Sequence, residues 1–372
     1  MQTQRQPRSG LMILAGIVAM AGLWGCQTAD PFAAEVAAID ANCPASYPAV
    51  VTPPPPLAEL EALSADELIA RLDHWSPAYR HRAGEALAGK LPDAYDKIIV
   101  AMADPDWRRR NGVIASLGRA MAHVTVYRRN IARNRAVTDD EKAAAEATVK
   151  QLAAATPHLI KALKDDQPLV RVRAIEVLSA LGPAAADAAN GLLVVAETSP
   201  PWVGEIAMGA LARSVGPDKL DPATRMDRLI AMLKHPKPRA RGAAIQVMGR
   251  LPADEAKVAI PALLASINDR AKRDAMFSDA ARNNAMALLT KWRVREVIPL
   301  IIQVAHEDGW GLGRRRAGTS AALKAWGPDA KEAIPGVEAI IKDIEAGGGN
   351  VEAAAKPFRE ALAAMRGEKA PQ

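Results

Sequence analysis

Cysteine occurs only twice in 372 residues, at Cys26 and Cys43, so no disulfide framework can hold this chain together. Aromatic side chains are scarce too, at 4% of the whole, although 49% of residues are hydrophobic. Alanine and leucine dominate the apolar share, which suits thin layers of closely packed helices, and no stretch shows a convincing strand alternation. Signatures of catalysis are missing as well. There is no glycine-rich phosphate loop with a lysine, no nucleophile elbow and no pair of histidines at metal-ligand spacing. Six histidines in six different contexts read as loop and surface residues. The expectation is a chain that is not an enzyme and holds no metal and no cofactor.

What is present begins with a leader. Arg5 and Arg8 stand without an acid ahead of the apolar run Leu11 to Trp24, which has the charge and length of a secretory leader and is short for a membrane-spanning helix. The run ends in Leu23-Trp24-Gly25-Cys26, which resembles the lipobox of bacterial lipoproteins, except that a small residue is usual where Trp24 stands. The resemblance implies a signal peptide over 1–25, cleavage before Cys26 and a diacylglycerol on its thiol. An ordinary signal peptide or an uncleaved anchor is the alternative. Loss of Arg5 and Arg8 would lower the formal charge from +6 to +4, leaving a mildly basic protein with Cys43 as an unpaired thiol in a linker. Residues 26–56 are rich in alanine and close with Pro53-Pro54-Pro55-Pro56, a semi-rigid extended spacer that reads as a tether. The expected location is the bacterial cell envelope, lipid-anchored at the outer membrane or the periplasmic face of the inner one.

Beyond Leu57 the chain repeats one unit, seen in clear form from Asp165 to Gly182. An acidic residue and a proline open a turn, an arginine follows, apolar residues recur at three- and four-residue spacing, and a glycine closes the helix. Aligning the chain to itself on an arginine followed seven positions later by an apolar residue gives Arg80 with Leu87, Arg110 with Leu117, Arg171 with Leu178, Arg241 with Met248, Arg282 with Leu289 and Arg316 with Leu323. Gly204 with Leu211 is a degenerate seventh. Seven residues are two helical turns, so both members of each pair share one face. Gly182-Pro183, Gly216-Pro217 and Gly327-Pro328 mark breaks after first helices, and Thr156-Pro157, Ile260-Pro261, Ile298-Pro299 and Ile334-Pro335 open second ones. The basic-then-acidic segment at about 120–150 reads as an insert, and 351–372 as a capping helix and tail, made irregular by Pro357.

These residues resemble the HEAT-like repeats of α-solenoids, in the bacterial subgroup with an Asp-Pro opening, a Val-Arg pair and a Gly-Pro break. The resemblance implies an all-α, right-handed solenoid of about seven helical hairpins over 57–350. It implies a structural ladder as well, in which Asp104, Arg110, Asp165 and Arg171 bond one repeat to the next. It leaves function open, because such repeats serve as scaffolds, lyase subunits and nucleic-acid binders alike. His306-Glu307 resembles the pairs of HEAT-type di-iron hydroxylases, but those need several and this chain has one.

A second set of arginines, Arg82, Arg108, Arg173, Arg239 and Arg314, lies two residues from the anchors, about 200° around a helix. Stacked repeats would align them into a basic stripe suited to an acidic or extended protein segment, with a plain solvated face as the alternative. Trp107, Trp202 and Trp310 stand at or just before the starts of first helices, where they would close turns or stack on a ligand, whereas Trp292 and Trp326 read as core. The resulting expectation is an exported, non-catalytic, protein-binding scaffold. An enzyme-accessory subunit, or a nucleic-acid binder were the chain retained in the cytoplasm, is the rival reading; for an exported protein no nucleic acid is expected.

Overall fold

The computed structural model describes residues 55–91, 93–268, 279–307, 312–347 and 350–368. Among them there is no strand. The expected lipidation at Cys26, the leader and most of the tether lie outside the described residues, as does Trp310.

Two short helices, Leu57–Glu61 (α1) and Ala65–Ala70 (α2), begin the folded unit. At α2 the Ser64 hydroxyl accepts from the Glu67 amide at 3.3 Å, while the Glu67 carboxylate accepts from the Ser64 amide at 2.9 Å. This reciprocal cap satisfies two amides that a helix start leaves open. First helices then follow at Pro77–Gly89 (α3), Trp107–Ala120 (α5), Pro168–Leu181 (α9), Pro201–Ala210 (α11), Pro238–Met248 (α13), Asp279–Lys291 (α15) and Leu312–Trp326 (α17). Their partners are Tyr95–Ala101 (α4), Thr156–Ala162 (α8), Ala189–Thr198 (α10), Arg225–Met232 (α12), Ile260–Asn268 (α14), Val297–Ala305 (α16) and Ile334–Ala346 (α18). Proline at the first or second position of α3, α8, α9, α11, α13 and α18 places a residue without an N–H where no helical partner exists for one.

Each first helix packs on the next along the chain, and each second helix packs on the first helix that follows it. One continuous apolar core results, running from Leu60 through Leu117, Leu178, Leu289 and Leu323 to Phe358. Small side chains let the layers approach closely: Ala83, Ala174, Ala240, Ala244 and Ala285 are all fully buried. The anchor arginines and their apolar partners both fall on first helices, as the seven-residue spacing predicts. Val351–Arg366 (α19) closes the stack, burying Ala355, Phe358, Ala361 and Met365 against α17 and α18. It stays helical through Pro357, starting at the Asn350 cap and ending at left-handed Gly367 (φ 74°).

The segment read as an insert is itself helical. Ala122–Ala132 (α6) and Asp139–Ala153 (α7) form a hairpin between α5 and α8, with a second reciprocal cap of Thr138 and Glu141 at 2.8 and 3.1 Å. Arg128 on α6 donates to the Ala180 carbonyl at the end of α9, tying the hairpin to the array. Pro168–Thr198 is apolar enough on mean hydropathy to pass for a membrane span, but it consists of α9 and α10 joined at the Gly182 break, and half of its most apolar 18 residues are buried in the stack.

Candidate functional site

The turns between repeats are built the same way four times. A guanidinium near the start of each first helix folds back onto the carbonyls six and five residues earlier. Arg80 donates to His74 and Trp75 at 2.7 and 3.0 Å, and Arg110 to Asp104 and Pro105 at 2.9 and 3.1 Å. Arg171 donates to Asp165 and Asp166 at 2.6 and 3.3 Å, and Arg241 to His235 and Pro236 at 2.8 and 3.2 Å. The side chain six before the arginine accepts an amide two residues further on. Asp104 takes the Asp106 amide at 2.8 Å and Asp165 the Gln167 amide at 2.9 Å. At the other two turns an imidazole does the same, His74 Nδ1 accepting from Ser76 at 3.1 Å and His235 Nδ1 from Lys237 at 3.0 Å. A ring nitrogen that accepts from an amide carries no proton of its own. Burial, with a cationic arginine beside each ring, holds both histidines below their ordinary 6.5, which preserves that neutral form.

A second bond crosses from one repeat to the next. Arg110 Nε and Nη2 form a bidentate pair with the two Asp165 oxygens at 2.7 and 2.8 Å, and Nη2 also reaches Asp166 at 2.9 Å. The pair is secluded, its side chains 14% and 9% exposed. Arg282 holds Glu307 through Nη1 and Nη2 at 2.5 and 2.8 Å, while its Nε donates to the Ile267 carbonyl at 2.8 Å. Glu307 lies nine residues before its anchor Arg316 rather than six, so the self-alignment did not single it out.

At Arg171 the crossing bond is missing. The following repeat has Thr198 and Ser199 where a carboxylate would stand, and the Thr198 hydroxyl donates to the Val194 carbonyl at 2.8 Å. Arg171 therefore bonds only its own turn, and its Nε is buried without an acceptor. Burial pulls this guanidinium below its ordinary range. A cleft of about 270 Å³ opens here, lined by Arg171, Lys164, Thr198 and Ser199 with Leu163 and Val194 as apolar walls. The same repeat has lost its own anchor. At Gly204 a Cβ would come within 2.7 Å of the Ala196 carbonyl and 3.0 Å of His235 Nε2, so α10 and α11, joined by only Ser199 and Pro200, leave no room for a side chain.

The second set of arginines divides into two rows. Arg82 and Arg173, two residues after their anchors, each meet the glutamate one turn on: Glu85 at 3.4 Å and Glu176 at 2.7 Å. Arg108 and Arg239 lie two residues before theirs, a full turn away from the first row. Arg108 folds onto Asp106 at 3.3 Å and lies 5.4 Å over the Trp107 ring, while Arg239 approaches Glu205 of the preceding first helix at 3.6 Å. Arg314, of this same row, is exposed. Trp107 and Trp202 are half-buried against the core at their helix starts; Trp326 is buried and Trp292 partly so. Among the described residues no three His, Cys, Asp or Glu side chains gather at metal-binding distance.

No protein-family model matches the sequence, and no curated protein matches it. A chain of the complex in which Kap95p binds RanGDP aligns over 95% of this one, at 12% identity and a TM-score of 0.53, through 44% of its own length. YibA of E. coli aligns over 83% of this chain and 95% of its own at 15% identity, TM-score 0.49. An engineered protein aligns over 91% and 97% at 14% identity, TM-score 0.44. The Kap95p complex alignment carries the comparison, and with the seven stacked hairpins it shows an all-α, HEAT-like helical-repeat solenoid.

Proposed function

We propose that this chain is a non-catalytic protein-binding scaffold, exported to the bacterial cell envelope and held at a membrane by lipid on Cys26. The observation that carries the binding reading is the recurrence of exposed arginines on the first helices α3, α9 and α13. Arg82, Arg173 and Arg239 have side chains 44%, 45% and 56% exposed, each beside a carboxylate that steadies it without burying it. Charges repeated along stacked helices present an extended partner with a series of contacts, and a polar or acidic segment suits it. The Kap95p fold, found in complex with RanGDP, lends support to a protein as the partner. The leader and the Leu23-Trp24-Gly25-Cys26 sequence support export and lipidation.

Replacing Arg82, Arg173 and Arg239 together by Ser tests the reading. Partners captured by cross-linking in envelope fractions should be lost, and capture by the parent should weaken as salt is raised, with helical content unchanged by circular dichroism. Capture of the same proteins by the variant refutes the arginine surface. Mass spectrometry of the natural protein checks the anchor: an intact Met1 or an unmodified Cys26 refutes it.

A further inference from the structure

Two anchor arginines hold a carboxylate from the next repeat. Arg110 grips Asp165 and Arg282 grips Glu307, each through two parallel N–H groups. At Arg171, an anchor at the equivalent place, the donors left over are the pair that Arg110 uses, whereas Arg282 spends its Nε on the Ile267 carbonyl. The Arg171 Nη1 serves its own turn, and among the described residues neither Nε nor Nη2 finds an acceptor. Both nearby acids are committed elsewhere: the Asp165 carboxylate is taken by Arg110 and the Gln167 amide, and Asp166 also turns to Arg110. In place of the missing carboxylate there is a cleft.

We propose that this cleft is a carboxylate-binding site, taking an aspartate or glutamate side chain from an apolar stretch of a partner protein. The incoming carboxylate would supply to Arg171 what Asp165 supplies to Arg110. A secluded guanidinium with unmet donors is costly, and a bidentate carboxylate is the group that relieves that cost in full. Lys164 at the rim adds a second positive charge. The cleft, about 270 Å³, is smaller than the pockets that enclose drug-sized ligands, and it admits a side chain rather than a cofactor. Its walls set the neighbours of the acid: Leu163 is buried, Val194 is 42% exposed, and both offer apolar contact beside the charge. Thr198 and Ser199 leave hydroxyls there rather than a competing acid. The proposal rests on the protein-binding reading and gives it a specific contact, apart from the arginines of the stripe.

The test uses the full-length chain and two probes, acetyl-Leu-Asp-Val-amide and its Asn counterpart, titrated while the Arg171 Nε–H resonance is followed by NMR. The resonance is assigned by its loss in Arg171→Lys. The Asp peptide should shift it, and the Asn peptide should bind about tenfold or more weakly, the loss expected when a charge-assisted bond is removed. Thr198→Asp places a carboxylate where the ladder lacks one, so it should raise the melting temperature and abolish binding of the Asp peptide. Equal binding of the two peptides, no shift with either, or unchanged peptide binding by Thr198→Asp overturns the proposal. Acetate binding as tightly as the peptide overturns the protein-segment occupant in favour of a small free acid. Absent peptide binding alongside partner capture that depends on Arg82, Arg173 and Arg239 defeats the cleft and leaves the scaffold standing. Peptide binding at Arg171 with no protein captured from the envelope keeps the carboxylate site and defeats the scaffold.

Discussion

Arg110 and Asp165 are taken largely out of water, at 14% and 9% side-chain exposure, and the cost of doing so is offset only because the geometry is bidentate. Removing either partner leaves the other buried and unmatched. Arg110→Ala should therefore cost about 3 kcal/mol in chemical denaturation, more than an exposed pair such as Arg173 with Glu176, which should cost about 0.5 kcal/mol. The pH dependence follows from the acid. Burial would raise the Asp165 carboxyl, but the Arg110 donors and the Gln167 amide together outweigh it and hold the group below its ordinary 3.8. A carboxyl depressed in the folded state contributes fully above its unfolded value, and that contribution fades as pH falls through the lower folded one. The stability difference between the parent and Asp165→Asn should thus stay constant from pH 7 to about 5 and shrink below about 4. A difference that persists unchanged at pH 3 would exclude the carboxylate as its source.

At the scale of the element, helix ends were the most legible part of the sequence. The three Gly-Pro breaks after first helices all place glycine at positive φ, Gly182 at 66°, Gly216 at 90° and Gly327 at 57°. Gly216 also has ψ 166°, a conformation that side chains essentially exclude. Gly216→Ala should lower stability by about 1–3 kcal/mol from backbone strain. Gly118 is the contrast. It sits inside α5 at helical angles, and a Cβ there would meet only Val177 at an ordinary 3.5 Å. Gly118→Ala should be neutral or stabilise by up to about 1 kcal/mol, and thermal melts of the two variants separate conformation from packing. Of the expected ladder, the Arg110–Asp165 rung forms, because Asp and Arg recur at a fixed offset, whereas Arg171 makes no crossing bond and Asp104 takes the Asp106 amide and Arg109. His74 and His235 were not legible, since their equivalence to Asp depends on an Nδ1 position that residue type does not disclose. Glu307 escaped because its offset is nine rather than six. The Arg171 cleft escaped for a different reason: it is lined from α8, α9 and α10 together, a meeting of elements that no local pattern encodes.

For the molecule as a whole, the pattern of contacts is nearly one-dimensional. First helix packs on first helix and second helix on the next first helix, with the inter-repeat rungs laid along the same direction. Stability in such an array is close to a sum of terms for each repeat and each interface, so a defect weakens its neighbours most. Breaking the Arg110–Asp165 rung should then open one interface and spare distant ones. In Asp165→Asn, amide hydrogen exchange should accelerate in Trp107–Ala120 and Pro168–Leu181, while Val297–Ala305 and Ile334–Ala346 keep the protection they have in the parent. The α6–α7 hairpin should respond with the first group, because Arg128 binds it to the end of α9. Uniform acceleration over all helices would mean that the continuous core, from Leu60 to Phe358, couples the repeats into one cooperative unit. The site at Arg171 bears on that outcome. It lies at an interface that lacks a rung, so local opening should be more frequent between α9 and α11 than between α5 and α9, and a carboxylate bound there, or supplied by Thr198→Asp, should slow exchange at that interface before distant ones.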